Sequence, residues 1–218
     1  MSDYQLVNDL SDEVLAHYLS QPEVAIDCEM HGLRMYRDEI CLIQICDAGD
    51  TVSLVRPEGE CPANVRRLLT DGSVTKLYHY ALSDVSFAKT SWGVDVQNYR
   101  CTKVMSKLVR TYGQRHGLKD LCKELLGLEL EKEQQQTDWS RSDLSPEQLK
   151  YAANDVLHLV AAYRRLTEMI ENRPPLSTGI TLRELNEQAQ AMLPGMVNLL
   201  VHGYGDEDQG WQTTLFWH

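Results

Sequence analysis

No run of apolar residues in this 218-residue sequence approaches the ~20 that a membrane-spanning helix needs, so no membrane association is expected. The amino terminus, MSDYQLVNDLSDE, lacks the basic-then-apolar pattern of a secretory leader, and the expectation is a cytoplasmic protein. Positive charge is scarce: 21 Lys and Arg stand against 32 Asp and Glu, a net charge of −11. That balance argues against holding long nucleic acid on a broad basic surface, which works by neutralising many phosphates. It leaves room for a short nucleotide in one local site. No CxxC pair, internal repeat or low-complexity tract occurs. The six cysteines (Cys28, Cys41, Cys46, Cys61, Cys101, Cys122) lack both export signal and zinc spacing, and read as reduced, buried small side chains.

What is present suits one α/β domain, since 43% hydrophobic residues can fill a core. SDEVLAHYLS has helical spacing behind the cap Ser11. Four β-like runs follow, EVAIDCE, ICLIQIC, TVSLVRP and TKLYHY, separated by polar or Gly-containing turns. From about residue 80 the pattern is helical, with one short strand expected near VDVQNY. The clearest helix is SPEQLKYAANDVLHLVAAYRRLTEMI, capped by Ser145 and Gln148 with Pro146 in its first turn. Leu149, Ala153, Val156, Val160 and Tyr163 form its apolar stripe. NRPPLSTG, residues 172–179, is the expected linker. A last helix runs from Thr181 to Leu193 behind the capping box TLRE, with Pro194-Gly195 as its stop.

In AIDCEMHGL, Asp27 and Glu29 are one residue apart on a strand and so share a face. Two carboxylates ~4 Å apart repel by ~4 kcal/mol at an effective dielectric near 20. No base flanks them directly, and hard divalent cations favour carboxylate oxygens, so metal binding is the economical explanation. Asp84 follows the strand TKLYHY, and Tyr151 and Asp155 lie four apart on one helix face. Taken singly, Asp84 or Asp155 is more simply a solvated or helix-capping residue.

Taken in order, Asp27-x-Glu29, Asp84 and Tyr151-x-x-x-Asp155 resemble the DEDD exonuclease superfamily, in its tyrosine-containing, ribonuclease D-like branch. DWSRSDLSPEQLKYAANDVLHL resembles that branch's third motif and its lead-in. CTKVMSKLVRTYGQRHGLKDLCKELLG and KEQQQTDW are similar to its small stand-alone members, the nano-RNase C group. The resemblance implies a ribonuclease H-like α/β fold, a central mixed sheet flanked by helices, with a C-terminal helical extension. It divides the chain into an exonuclease domain over 1–171 and a helix and tail over 172–218, packed on the domain or in an oligomer interface. The implied activity is two-metal-ion 3′-5′ hydrolysis of short RNA, especially dinucleotides, to nucleoside 5′-monophosphates, with Mg²⁺ or Mn²⁺. Asp27 would bridge both cations, Glu29 and Asp155 would hold the one that activates water, and Asp84 would serve the second. Tyr151, with an ordinary pKa near ~10, would orient the attacking water rather than take its proton. A homo-oligomer, with an octameric ring as one form, is also implied, and the aromatic tail residues Trp211, Phe216 and Trp217 could serve it.

The sequence departs from the common family pattern at Cys28 and Met30, where threonines are usual. Cys28 points away from the acids and reads as core. Met30, His31, Gly32 and Leu33 would adjoin the 3′-terminal nucleotide, Leu33 as an apolar wedge or else as plain core. His79 could face the substrate phosphate or close a buried strand as a hydrogen-bonded core residue. The cluster Lys103, Lys107, Arg110, Arg115, His116 and Lys119 is either a solvated helix face or a cation site for the 5′ end, with Arg115 and Lys119 as its candidates. Trp139 reads as a packing anchor, and Gln134 to Gln136 as rim residues. Three functions compete: hydrolysis of RNA of two to a few nucleotides, trimming of longer structured RNA, and an inactive nucleotide-binding scaffold.

Overall fold

Val24, Ala25 and Ile26 are inaccessible to solvent on both faces of their strand, so helices must cover the sheet on both sides there. The computed structural model describes residues 6–130 and 137–203. The strands are β1 (Leu6–Val7), β2 (Glu23–Met30), β3 (Ile40–Cys46), β4 (Val52–Val55), β5 (Thr75–Tyr78) and β6 (Tyr99–Cys101). The helices are α1 (Asp12–Leu19), α2 (Ala63–Thr70), α3 (Ala81–Trp92), α4 (Thr102–Val109), α5 (Leu118–Leu126), α6 (Pro146–Leu157), α7 (Leu159–Glu171), α8 (Leu182–Ala191) and α9 (Leu193–Val201).

The sheet order is β1-β4-β3-β2-β5-β6. β2, β3 and β4 form an antiparallel meander, while β5 and β6 continue parallel to β2 and β1 pairs parallel with β4. This is the expected mixed sheet flanked by helices. The main core buries α1, α2, α3 and α9 against one face through Leu15, Leu68, Phe87 and Val197. On the other face α6 and α7 cover Ala25, Leu42, Cys46 and Leu77. α8 packs with α4 and α7, and Gln190 bonds both N–H and C=O of Cys101, closing the free edge of β6. No helix among the described residues is long and apolar enough to cross a membrane.

The four β-like runs, the Ser11 cap and both capping boxes form as expected. Five local features differ. β1 is only two residues long, too short to carry a pattern. α2 replaces an expected turn, although Val65, Leu68 and Leu69 have helical spacing. The sixth strand begins at Tyr99, just beyond VDVQ. The long helix divides at His158 (φ −108°, ψ 0°), so α6 and α7 cover different parts of the sheet. Pro194 starts α9 rather than stopping α8, because proline lacks only an N–H that a first turn leaves unused. All six cysteines are free, four buried and two half-buried.

Candidate active site

β2 carries Asp27 and Glu29 toward α6, while Cys28 between them packs into the opposite core. A register shift between Glu29 and Met30 ends the regular pairing with β3 just past the acids. α6 supplies Tyr151 and Asp155 one turn apart. Its start is fixed by the Ser145–Gln148 capping box, and Gln148 also donates to Thr137 Oγ1 and the Asp138 carbonyl. That tie seats Trp139, which is buried against Leu42, Leu54 and Ala153, with its ring 6.2 Å from that of Tyr151. Trp139 is thus the expected anchor, and it supports the tyrosine directly. Asp84, in the first turn of α3, accepts a 3.1 Å hydrogen bond from the Cys28 N–H, which stitches α3 to β2 between the two acids.

These elements bring the five residues together. Ligand oxygens of Asp27, Glu29 and Asp155 lie within 4.8 Å of one another, and Asp84 lines the same cleft of about 340 Å³. A larger hollow, about 500 Å³ between α3, β6, α8 and α9, has its charges paired as Lys89–Asp95 and Arg100–Glu187 and holds no such acid cluster. Electrostatics separates the two. Burial, then Asp84, Asp155 and Glu29, holds Asp27 well above the usual carboxylate range. Burial, Asp155 and Asp84 push Glu29 up to about 9. Burial raises Asp84 to about 7 against its backbone hydrogen bonds, and raises Asp155 to about 6 against a bond from Tyr151. Burial and the neighbouring acids likewise hold the Tyr151 phenol above its ordinary value, so it keeps its proton at neutral pH.

Among the described residues, no cation is one of the groups that shift Asp27 or Glu29. Four converging carboxylates, whose ligand atoms are all oxygens, fit hard divalent cations.

The other sequence-predicted residues divide. Lys119 lines the cleft with Lys103, whose ammonium sits 4.4 Å over the ring of Tyr80 on the same wall. Arg115 and Lys107 are exposed outside the cleft lining. Arg110, grouped with the surface cations, is 2% exposed: its guanidinium pairs with Glu124 and donates to Ser106 Oγ and the Arg115 carbonyl. It is a structural residue that holds the 110–116 turn. His79 lines the cleft, but Nδ1 lies 2.9 Å from Thr102 Oγ1 and Nε2 lies 2.9 Å from the His116 carbonyl oxygen. Burial lowers its pKa to about 4, so it is neutral and spends both nitrogens inside the protein.

Met30 packs half-buried on the main core, and the His31 N–H donates to the Glu39 carbonyl. A Cβ on Gly32 would stand 2.3 Å from Asp38 Oδ2, so the loop that folds around the buried Asp38 carboxylate requires glycine. Leu33 is 88% exposed, which removes plain core packing from its two readings. Gln134 to Gln136 and the tail aromatics lie outside the described residues. Tyr80, Ser83 and Leu118 also line the cleft without having been singled out, since only the turn after β5 and the start of α5 bring them there.

Comparison with known proteins agrees with this geometry. A family model described as 3′-5′ exonuclease matches residues 3–171. The chain belongs to that family. Ribonuclease D of Granulibacter bethesdensis is 32% identical over 159 residues, covering 72% of this chain and 40% of that protein. The chain thus spans well under half the length of such ribonuclease D relatives. NrnC of Brucella melitensis is 34% identical with a TM-score of 0.82, covering 98% of this chain and 97% of that one. Structures of the Brucella protein with bound Mg²⁺ and bound to pGG match with TM-scores of 0.81 and 0.82. Ribonuclease D of Escherichia coli, at 24% identity and TM-score 0.75, shares the fold. This family member is therefore a nuclease of the ribonuclease D and NrnC type, a phosphodiester hydrolase.

Proposed function

We propose that this exonuclease removes nucleoside 5′-monophosphates from the 3′ end of short RNA, with dinucleotides as preferred substrates. The observation that carries the reading is the convergence of Asp27, Glu29 and Asp155 within 4.8 Å in a cleft of only about 340 Å³. Further support comes from the acidic chain and from the end-to-end likeness to NrnC, whose structure bound to pGG is among the relatives.

Asp27, Glu29, Asp84 and Asp155 would hold two divalent cations, Mg²⁺ or Mn²⁺. When bound, these supply positive charge to the phosphodiester and acidify the attacking water. The chain's own groups do the rest. Tyr151, protonated and braced by Trp139, orients that water by hydrogen bonding. Lys103 and Lys119, which line the same cleft, would supply positive charge to a substrate phosphate. Leu33 projects from the loop after β2 and can pack against the terminal bases.

A second reading is 3′ trimming of longer structured RNA, since ribonuclease D of Escherichia coli is described as an exoribonuclease involved in structured RNA processing. Cleavage of 5′-labelled RNA of two, three, seven and twenty nucleotides, beside Asp27→Ala and Asp155→Asn, separates the two. Cation-dependent activity greatest on the dinucleotide and absent from both variants is expected. Activity on the long RNA alone would transfer the protein to the trimming role, and none at any length would leave a binding module.

A further inference from the structure

Gln44 is the cross-strand partner of Asp27 in the β2–β3 ladder. Its strand neighbours Leu42 and Cys46 both pack under α6 and α7, so Gln44 shares the face that carries the acids. Its side chain is 0% exposed, and among the described residues neither Oε1 nor Nε2 has a hydrogen-bond partner. A buried carboxamide left unpaired is costly, and an apolar residue of the same size would fit between Leu42 and Cys46 without that cost. Asp27 has the complementary deficit. Asp84 receives the Cys28 N–H and the Tyr151 hydroxyl eases the burial of Asp155, whereas no donor among the described residues offsets the burial of Asp27. Directly paired residues on one sheet face have Cβ atoms about 5 Å apart, within the reach of a glutamine side chain.

We propose that Gln44 is a positioning residue of the cation site: its amide, unpartnered in the cation-free fold, turns its N–H to the neighbouring Asp27 carboxylate when cations bind. Asp27 then presents its other oxygen to the cation in a fixed orientation. This is the role that outer partners of metal ligands commonly play, and their loss typically weakens metal affinity 10- to 100-fold. The inference rests on the cation-binding reading of the four acids. Glutamine suits the position because it can accept from a protonated Asp27 and donate to an ionised one.

The test compares Gln44→Met and Gln44→Asn with wild type, reading Mn²⁺ affinity from the electron paramagnetic resonance signal of free Mn²⁺ and the melting temperature in EDTA. The Met side chain keeps the length without a donor; Asn keeps the amide but falls one methylene short. Both are expected to bind Mn²⁺ about 10-fold more weakly or worse. Gln44→Met should melt no lower than wild type in EDTA, because a costly orphan has gone. Ser91→Ala, which removes another buried unpartnered polar atom from the far end of α3, should leave Mn²⁺ affinity unchanged. Mn²⁺ affinity within twofold of wild type in both Gln44 variants overturns the proposal and leaves Gln44 a packing residue. Asp27→Ala, measured alongside, distinguishes the failures: if it too binds Mn²⁺ normally, the cation site itself is misassigned.

Discussion

Asp155→Asn should stabilise the cation-free protein while destroying the enzyme. Burial raises Asp155 from 3.8 to about 6. Between those values the folded chain holds a proton that the unfolded chain has released. Stability is therefore complete below about pH 4 and is lost as pH rises through 6. At ~1.4 kcal/mol per tenfold change in protonation equilibrium, the ionised residue costs the cation-free fold ~3 kcal/mol at pH 8. Asparagine keeps the shape and an acceptor for Tyr151 but leaves a partly unmet amide, which takes back ~1 kcal/mol. The net gain of ~2 kcal/mol corresponds to roughly 4–8 °C in melting temperature for a chain of this size. The assay is thermal and urea denaturation in EDTA at pH 4.5 and pH 8, with and without added Mn²⁺. The variant should exceed wild type at pH 8 and approach it at pH 4.5, and Mn²⁺ should stabilise wild type far more than the variant. A variant less stable than wild type at pH 8 without cation would refute the claim that the buried, ionised Asp155 destabilises the cation-free fold.

Three further outcomes follow from the site. Tyr151→Phe should lower turnover about 100-fold with KM nearly unchanged, since it removes water orientation and little binding; a comparable rise in KM would assign the phenol to the substrate instead. Leu33→Ala should leave stability within ~0.5 kcal/mol of wild type, because the side chain is 88% exposed, yet raise KM for a dinucleotide several-fold; unchanged KM would end the wedge reading. Arg110→Met should destabilise by ~3 kcal/mol, leaving Glu124 without its cation and the Arg115 carbonyl without a donor, with little loss of turnover per folded molecule; a stable variant with weakened RNA binding would restore Arg110 to the substrate site.

The residues legible in the sequence are those whose meaning is local. Asp27 and Glu29 share a face because of strand alternation, Tyr151 and Asp155 because of helix pitch, and Ser145–Gln148 announces where that helix begins. Where meaning depended on what a segment packs against, the sequence was ambiguous. Pro194 can end a helix or begin one, and it begins one because Leu193, Val197 and Val201 bury against the sheet-covering helices. His79 and Arg110 carry the chemistry of phosphate ligands, but the 110–116 turn, set by the docking of α4 and α5 on α7, uses their polar atoms internally.

The same distinction explains why the acid cluster survives its cost. Asp27 and Glu29 are laddered to β3 on a central strand whose first half also pairs with β5, Asp84 is bonded to that strand's backbone, and Asp155 rides a helix capped at its start. None of the four sits on a free loop that could swing aside to relieve repulsion. A site on loops would relax when empty and pay for reordering on each binding event. Here the strain stays in the cation-free fold, so the arrival of divalent cations relieves it, and binding affinity and stability rise together. Gln44, buried beside Asp27 on the neighbouring strand, is consistent with that design: it adds a polar group to the part of the core already burdened with charge, within reach of the acid it would orient.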